Sequence, residues 1–94
     1  MKQNVKIKII GKIHDVGYRE FVQKQAQRLH IEGTIQNLSD ESIIILASGQ
    51  ADHLDQFIDL LYKGPTKSKI QDVQVEPLLT EKSFRGVFRI LESK

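Results

Sequence analysis

The chain has 94 residues, enough for one domain with one core and too few for a second. Its formal net charge of +2 is too small to create the long-range field that attracts nucleic acid or an anionic membrane. It contains no cysteine, which excludes disulfides, a thiolate nucleophile and cysteine-based metal sites.

The location and the domain count follow from the same features. The absence of cysteine agrees with a reducing compartment. Residues 2–8 mix lysine with aliphatic side chains, whereas a signal peptide or a membrane span needs an uninterrupted apolar run. We therefore expect a cytoplasmic protein without a membrane partner, in which residues 1–94 form a single domain.

The first half of the chain predicts a strand, a helix and a hairpin. Residues 5–13 alternate aliphatic and lysine side chains, which is the period of a strand. From residue 18 or 19 to about 30, apolar side chains recur at helical spacing. Residues 34–36 predict a second strand, and a polar run at 37–41 predicts its hairpin connection to a third strand at 42–48. Apolar side chains on both faces of that third strand indicate a central position in the sheet.

The second half predicts another helix and two strands. Apolar residues repeat at helical spacing from Asp52 to the stop signal Gly64-Pro65. Residues 70–77 predict a fourth strand and residues 88–90 a short final one. The resulting order, βαββαβ with a short extra C-terminal strand, predicts an α+β fold. It is the ferredoxin-like split βαβ sandwich, an antiparallel sheet with two helices on one face.

Two separated motifs resemble the signature of the acylphosphatase family. Residues 11–19, GKIHDVGYR, resemble the family pattern G-x-V-Q-G-V-G-F-R, and residues 32–37, EGTIQN, resemble G-W-V-x-N. A weaker likeness runs through the second helix to residues 88–90, so the resemblance covers nearly the whole chain. It implies a monomeric hydrolase that splits a small acyl phosphate into a carboxylate and inorganic phosphate, without cofactor or metal.

The first motif implies a phosphate-binding loop. Backbone N–H groups at a helix start have no partner within the helix and lie at the positive end of its dipole, so they suit phosphate oxygens. Arg19 matches the family's catalytic arginine, whose planar guanidinium can bond two phosphate oxygens. By the same resemblance the loop consists of His14, Asp15, Val16, Gly17 and Tyr18.

The second motif ends on Asn37, which matches the family's catalytic asparagine. The resemblance implies that its carboxamide holds the attacking water in line with the leaving oxygen. Asparagine also favours turns, so the residue alone would indicate only the hairpin. No strong base is needed, because the leaving carboxylate has a conjugate-acid pKa of about 4 to 5. Phosphoryl transfer of this kind depends mainly on positioning and on stabilising spread-out charge.

Four residues depart from the family pattern. Asp15 stands where the family usually has glycine and places a like charge beside the phosphate. His14 replaces glutamine and either orients the loop or, when protonated, offsets Asp15. Thr34 and Glu41 replace the usual tryptophan and turn glycine, which concerns stability and loop placement more than chemistry.

Two other functions are weighed against the enzyme. A non-catalytic anion-binding module would keep the phosphate cradle while Asp15 abolishes turnover. A ferredoxin-like RNA binder would need aromatic side chains on the open sheet face, but the six aromatics fall mostly on predicted core stripes. We therefore expect no nucleic-acid partner. The histidines lack the spacing of a metal site.

Overall fold

Strands and helices follow one another in the predicted order in the computed structural model, which describes residues 2–11, 13, 16–64, 69–79 and 84–92, apart from the side chain of Val16. The ferredoxin-like α+β plan with a short terminal strand is confirmed. In chain order the elements are β1 (Lys2–Gly11), α1 (Val16–Arg28), β2 (Glu32–Asn37), β3 (Ser42–Gln50), α2 (Ala51–Lys63), β4 (Ile70–Pro77) and β5 (Phe88–Ile90).

The sheet has the strand order β4-β1-β3-β2-β5. β1 pairs antiparallel with β3 and β4, and β2 pairs antiparallel with β3. β5 differs from the prediction of an antiparallel sheet, because it joins the far edge parallel to β2, with Gly33 opposite Phe88. An alternating side-chain pattern is the same for both strand directions, so it could not reveal this parallel pair.

One face of the sheet carries the core. β3 is central, as predicted, but the helices cover only one side of it, and its Ile44 and Leu46 are half-buried on the open face. Both helices contribute to the same apolar cluster as the inward side chains of the strands, so both pack on that face. Its fully buried members include Ile7, Ile9, Ile35, Ile43, Ile45, Val22 and Phe57.

Gly33 lets β2 lie close against β3. Its φ is 155°, and a Cβ at this position would lie 1.8 Å from the carbonyl oxygen of Leu46. That distance is far inside van der Waals contact with a backbone atom, so only glycine allows the two strands to pair here. Gly33 is therefore compatible with the observed register, in which the last residue of β2, Asn37, lies opposite Ile43.

Candidate active site

Asn37 lies at the end of the sheet from which the chain leaves β1. It pairs with Ile43, and Ile43 pairs with Ile9, two residues before β1 ends at Gly11. Adjacent strands are about 4.8 Å apart, so Asn37 lies about 10 Å from Ile9 across β3. Directly paired residues point to the same face, and Ile9 and Ile43 are both buried under the helices. The Asn37 carboxamide therefore lies on the helix face, beside the connection between β1 and α1.

The carboxamide oxygen of Asn37 is buried without a protein partner. The residue is 8% exposed, and its Oδ1 has no hydrogen-bond partner among the residues that the structure describes. A buried acceptor left unpaired costs about 1–3 kcal/mol, so most such atoms in proteins are paired. An unpaired oxygen at the end of a strand is suited to a water molecule or a ligand.

Arg19 has the same property in the first turns of α1. The side chain is half-buried, and its Nε is buried with no hydrogen-bond partner within the described parts of the chain. A guanidinium has five N–H donors and its charge persists at any ordinary pH, so an unpaired buried donor favours an anion. Arg19 and Asn37 thus each have a buried polar atom without a hydrogen-bond partner among the described residues.

The strand register shows that Arg19 and Asn37 share one end of the fold. Gln23, one turn after Arg19, donates its Nε2 to the carbonyl oxygen of Phe88 at 2.8 Å, and Phe88 lies opposite Gly33. β1 and β2 run in the same direction, because each is antiparallel to β3, so α1 runs back against β2. Arg19 lies about 6 Å from Gln23 along the helix axis, in the direction of the end of β2.

The direction of the Arg19 side chain shortens the remaining distance between its guanidinium and Asn37. Gly33 to Asn37 spans about 13 Å of strand, so the Arg19 backbone lies below the level of Asn37. Helical side chains tilt toward the helix N-terminus, which here is the direction of Asn37. The geometry therefore brings the two predicted catalytic residues to one end and one face of the sheet.

The predicted phosphate-binding loop is only partly within the described residues. His14 and Asp15 lie outside them. Val16, Gly17 and Tyr18 form the first turn of α1, so the helix begins earlier than the predicted start at residue 18 or 19, and the role of these residues in binding phosphate stays a prediction. The N–H groups of a first turn have no acceptor within the helix, and such a turn can contain glycine and needs no apolar stripe, so the helix can begin before its apolar stripe does. The amides of such a turn still point out of the helix, as the prediction required.

Tyr18 is a core residue whose side chain faces away from solvent. It is 1% exposed, and its hydroxyl donates to the carbonyl oxygen of Leu61 in α2 at 3.3 Å. Burial raises the pKa of the Tyr18 phenol above its ordinary value, so the hydroxyl remains a neutral donor. Tyr18 can therefore contribute its backbone, but not its side chain, to the phosphate-binding cradle that the sequence predicts.

Sequence reasoning missed a side-chain contact beside Asn37. Asp40, in the turn between β2 and β3, accepts hydrogen bonds from the backbone N–H and the hydroxyl of Ser42. The signal was present, because an aspartate two residues before a serine in a polar turn is typical of an Asx turn. The polar composition of residues 37–41 alone predicts only a connection between two strands.

Other groups lie outside this end of the fold. Within the described ranges no three histidine, aspartate or glutamate side chains gather into a group that could hold a metal ion. The imidazole rings of His30 and His53 approach to 6.4 Å between centroids, near the end of α1 and the start of α2, away from Asn37. No described helix is long and apolar enough to cross a membrane.

Comparison with known proteins places the chain in a family. The family model described as Acylphosphatase matches residues 5–90. The chain is 32% identical over 89 residues to an acylphosphatase of Salinibacter ruber, covering 95% of this chain and 93% of that one. It is 33% identical over 91 residues to an acylphosphatase of Clostridium acetobutylicum, covering 94% and 100%. The crystal structure of acylphosphatase from Bacillus subtilis superimposes with a TM-score of 0.85 at 28% identity, covering 97% of this chain and 99% of that one. The chain belongs to the acylphosphatase family.

Proposed function

We infer that this chain is an acylphosphatase, which hydrolyses the carboxyl–phosphate bond of a small acyl phosphate to a carboxylate and inorganic phosphate. One observation carries the inference. The family model spans residues 5–90, and within that span Arg19 and Asn37 lie toward one end of the sheet, each with a buried polar atom that has no hydrogen-bond partner among the described residues. The positive charge of the half-buried arginine complements the negative charge of a phosphate, and the asparagine carboxamide can form a hydrogen bond with a water molecule.

Arg19 is the proposed phosphate-binding residue. Its guanidinium would bond the phosphoryl oxygens and stabilise the negative charge that gathers on them as the P–O bond breaks. Backbone N–H groups at the start of α1 would complete the cradle, with the helix dipole adding to their attraction for an anion. The residues proposed for this cradle are His14, Asp15, Val16, Gly17 and Tyr18.

Asn37 is the proposed water-orienting residue. A water held by its carboxamide would attack phosphorus opposite the carboxyl oxygen, the P–O bond would break, and the bonding electron pair would leave with the carboxylate. The proton lost by the water ends on phosphate or solvent. Asparagine is a poor base, but the leaving carboxylate is stable unprotonated at neutral pH, so positioning is sufficient. The proposed reaction uses neither cofactor nor metal.

The proposed setting is a monomer of one domain, residues 1–94, in the cytoplasm. The lack of cysteine agrees with a reducing compartment, and both proposed catalytic residues come from one chain. A nucleic-acid partner is not proposed. The phenylalanine and tyrosine residues of this chain are buried or lie on helices or outside the strands, so in the described part of the chain none of them lies on the open sheet face, where a base could stack.

A phosphate-release assay tests the proposal. Acetyl or benzoyl phosphate is hydrolysed by the wild type, by Arg19→Ala, by Asn37→Ala and by a control, Arg28→Ala. Arg28 is an exposed arginine of the same helix, whose Nε donates to Gln25 at 3.0 Å. We expect each catalytic substitution to lower the rate at least about a hundredfold, as removal of a group that stabilises the transition state does. The control should keep the full rate.

Inhibition by inorganic phosphate separates the two roles. Arg19→Ala should weaken inhibition, because the proposed anion contact is lost, whereas Asn37→Ala should leave it near the wild-type value. A wild type that binds phosphate but hydrolyses neither substrate would instead identify a non-catalytic anion-binding module. Unchanged activity in Arg19→Ala would remove the proposed site.

A further inference from the structure

The turn after Asn37 is held by one carboxylate. Asp40 Oδ1 accepts the backbone N–H of Ser42 at 3.1 Å and also accepts the Ser42 hydroxyl. Ser42 in turn closes the hairpin, because its carbonyl oxygen accepts the Leu38 N–H at 2.8 Å. By accepting hydrogen bonds from Ser42, Asp40 therefore fixes the hydrogen-bond partner of Leu38, the first residue of the turn.

The same turn contains a backbone conformation that favours glycine. Glu41 has a φ of 71°, and its N–H donates to the Leu38 carbonyl oxygen at 3.2 Å. This is a tight turn followed by a left-handed residue, a common hairpin connection in which glycine usually takes the left-handed position. A residue with a Cβ is disfavoured there. The hydrogen bonds between Asp40 and Ser42 hold the turn in a conformation in which Glu41 has a positive φ, which is disfavoured for a residue with a Cβ.

The orientation of Asn37 depends on this backbone. Asn37 directly precedes Leu38, and its own Oδ1 has no hydrogen-bond partner in the described part of the chain. No hydrogen bond from a described residue holds the carboxamide oxygen, so the backbone at the end of β2 and in the turn that follows contributes to its direction.

We propose that Asp40 is a positioning residue for Asn37. By holding Ser42, it fixes a turn in which Glu41 occupies the glycine-type position, and it thereby aims the carboxamide that orients the attacking water. The proposal rests on the proposed role of Asn37. It differs from a purely structural role, because it requires Asp40 to influence turnover through the conformation of Glu41.

A double-mutant cycle tests that dependence. The variants are Asp40→Ala, Glu41→Gly and the two combined, assayed with benzoyl phosphate. We expect Asp40→Ala to lower kcat about tenfold with little change in KM, since small misplacements of a catalytic group have effects of this size or larger. With glycine at position 41, which adopts the turn without strain, the same substitution should lower kcat by less than about twofold.

Matched variants separate positioning from general stability. Asp72→Ala removes an exposed carboxylate that also bonds a residue two positions on, Gln74 Nε2 at 3.1 Å, and should leave kcat unchanged. Asp40→Asn keeps an acceptor oxygen and should retain most of kcat, and Ser42→Thr should do so because it keeps a hydroxyl. Inorganic phosphate should inhibit every variant at the wild-type concentration, because Arg19 is untouched.

The outcomes distinguish the two proposals. Equal loss of kcat with Glu41 and with glycine would overturn the positioning role, as would full kcat in Asp40→Ala combined with lower resistance to urea. If Asn37→Ala is inactive while Asp40→Ala is fully active, only the positioning inference fails. If Asn37→Ala is fully active, the proposed role of Asn37 fails, and the inference fails with it.

Discussion

The Tyr18 hydroxyl donates to the carbonyl oxygen of Leu61 at 3.3 Å, joining the first turn of α1 to the last turn of α2. The carbonyls in the last turn of a helix have no partner within it, so this bond supplies one of them with a donor from outside the helix. It also holds the start of α1, one residue before Arg19, against the second helix.

We predict that Tyr18→Phe lowers the free energy of unfolding by about 1 kcal/mol, because it leaves a helix-end carbonyl without its donor. Tyr62→Phe is the matched control. Tyr62 also donates to a backbone carbonyl, that of Val73 at 3.4 Å, but it is 45% exposed, so water can replace the bond. Urea-induced unfolding of both variants provides the measurement. An equal loss in both would contradict the assigned importance of the buried bond.

Gly33 and Gly86 form a second matched pair. Both have positive φ, 155° and 74°, but a Cβ on Gly33 would meet the Leu46 carbonyl oxygen, whereas a Cβ on Gly86 would meet no atom of the described residues within 4 Å. We predict that Gly33→Ala lowers the free energy of unfolding by more than about 3 kcal/mol, since β2 must move away from β3. Gly86→Ala should cost about 1 kcal/mol for the backbone conformation alone. Similar values for the two in urea unfolding would contradict the close approach of the strands.

The elements were predictable from the sequence because their periods are unambiguous. The alternation in β1 and the helical stripe of α2 each have one explanation in a chain with a single core. The parallel pairing of β5 was not predictable, since alternation carries no direction. The predicted start of α1 is later in the chain than the observed one for a different reason. Val16 and Gly17 precede the apolar stripe, and a first turn can form without such a stripe.

The sequence predicts the residues of the proposed site but not their contacts. The motifs point to Arg19 and Asn37, whose catalytic roles stay a prediction, and the ferredoxin-like plan implies that β1 and β2 end at the same edge. The unpaired Arg19 Nε and Asn37 Oδ1 depend on side-chain rotamers and on burial, which a linear pattern does not encode. The bond from Ser42 to Asp40 needed turn chemistry that a polar composition alone does not specify.

Glu32 provides a prediction for pH. Its carboxylate accepts from Lys2 Nζ at 2.7 Å and from the backbone N–H of Gly86. The hydrogen bond from Lys2 is the main cause that lowers the pKa of Glu32 from its ordinary value of 4.5. Because the folded pKa is the lower one, the contribution of Glu32 to stability is complete above about pH 4.5 and is lost as pH falls through the folded value.

We therefore predict that Glu32→Gln is less stable than the wild type at pH 7, by about 1 kcal/mol because Lys2 is exposed, and that the difference disappears below the folded pKa. Urea unfolding at a series of pH values measures it. Glu76→Gln is the control, since Glu76 is exposed and its contact with Lys6 Nζ is 3.7 Å long. A difference between wild type and Glu32→Gln that stays constant down to pH 3 would contradict the ionised contact.

The charge of Asp15 provides the last prediction. At about 6 Å and an effective dielectric constant of about 20, a carboxylate repels a bound phosphate by about 3 kcal/mol, which corresponds to roughly a hundredfold in affinity. Asp15→Asn removes the charge and keeps a side chain that tolerates the same backbone conformations, whereas Asp15→Gly also restores the family's glycine. We predict that both variants are inhibited by less inorganic phosphate than the wild type.

Salt then separates charge from loop shape. The Debye length falls from about 10 Å at 0.1 M salt to about 3 Å at 1 M, so the advantage of Asp15→Asn over the wild type should shrink as salt is added. An advantage of Asp15→Gly over Asp15→Asn should persist, because it comes from the backbone. Asp55→Asn, an exposed carboxylate of α2, is the control and should leave inhibition unchanged. Equal inhibition of wild type and Asp15→Asn at low salt would mean that this carboxylate does not act on the bound anion, and the family's glycine would then matter only for the shape of the loop.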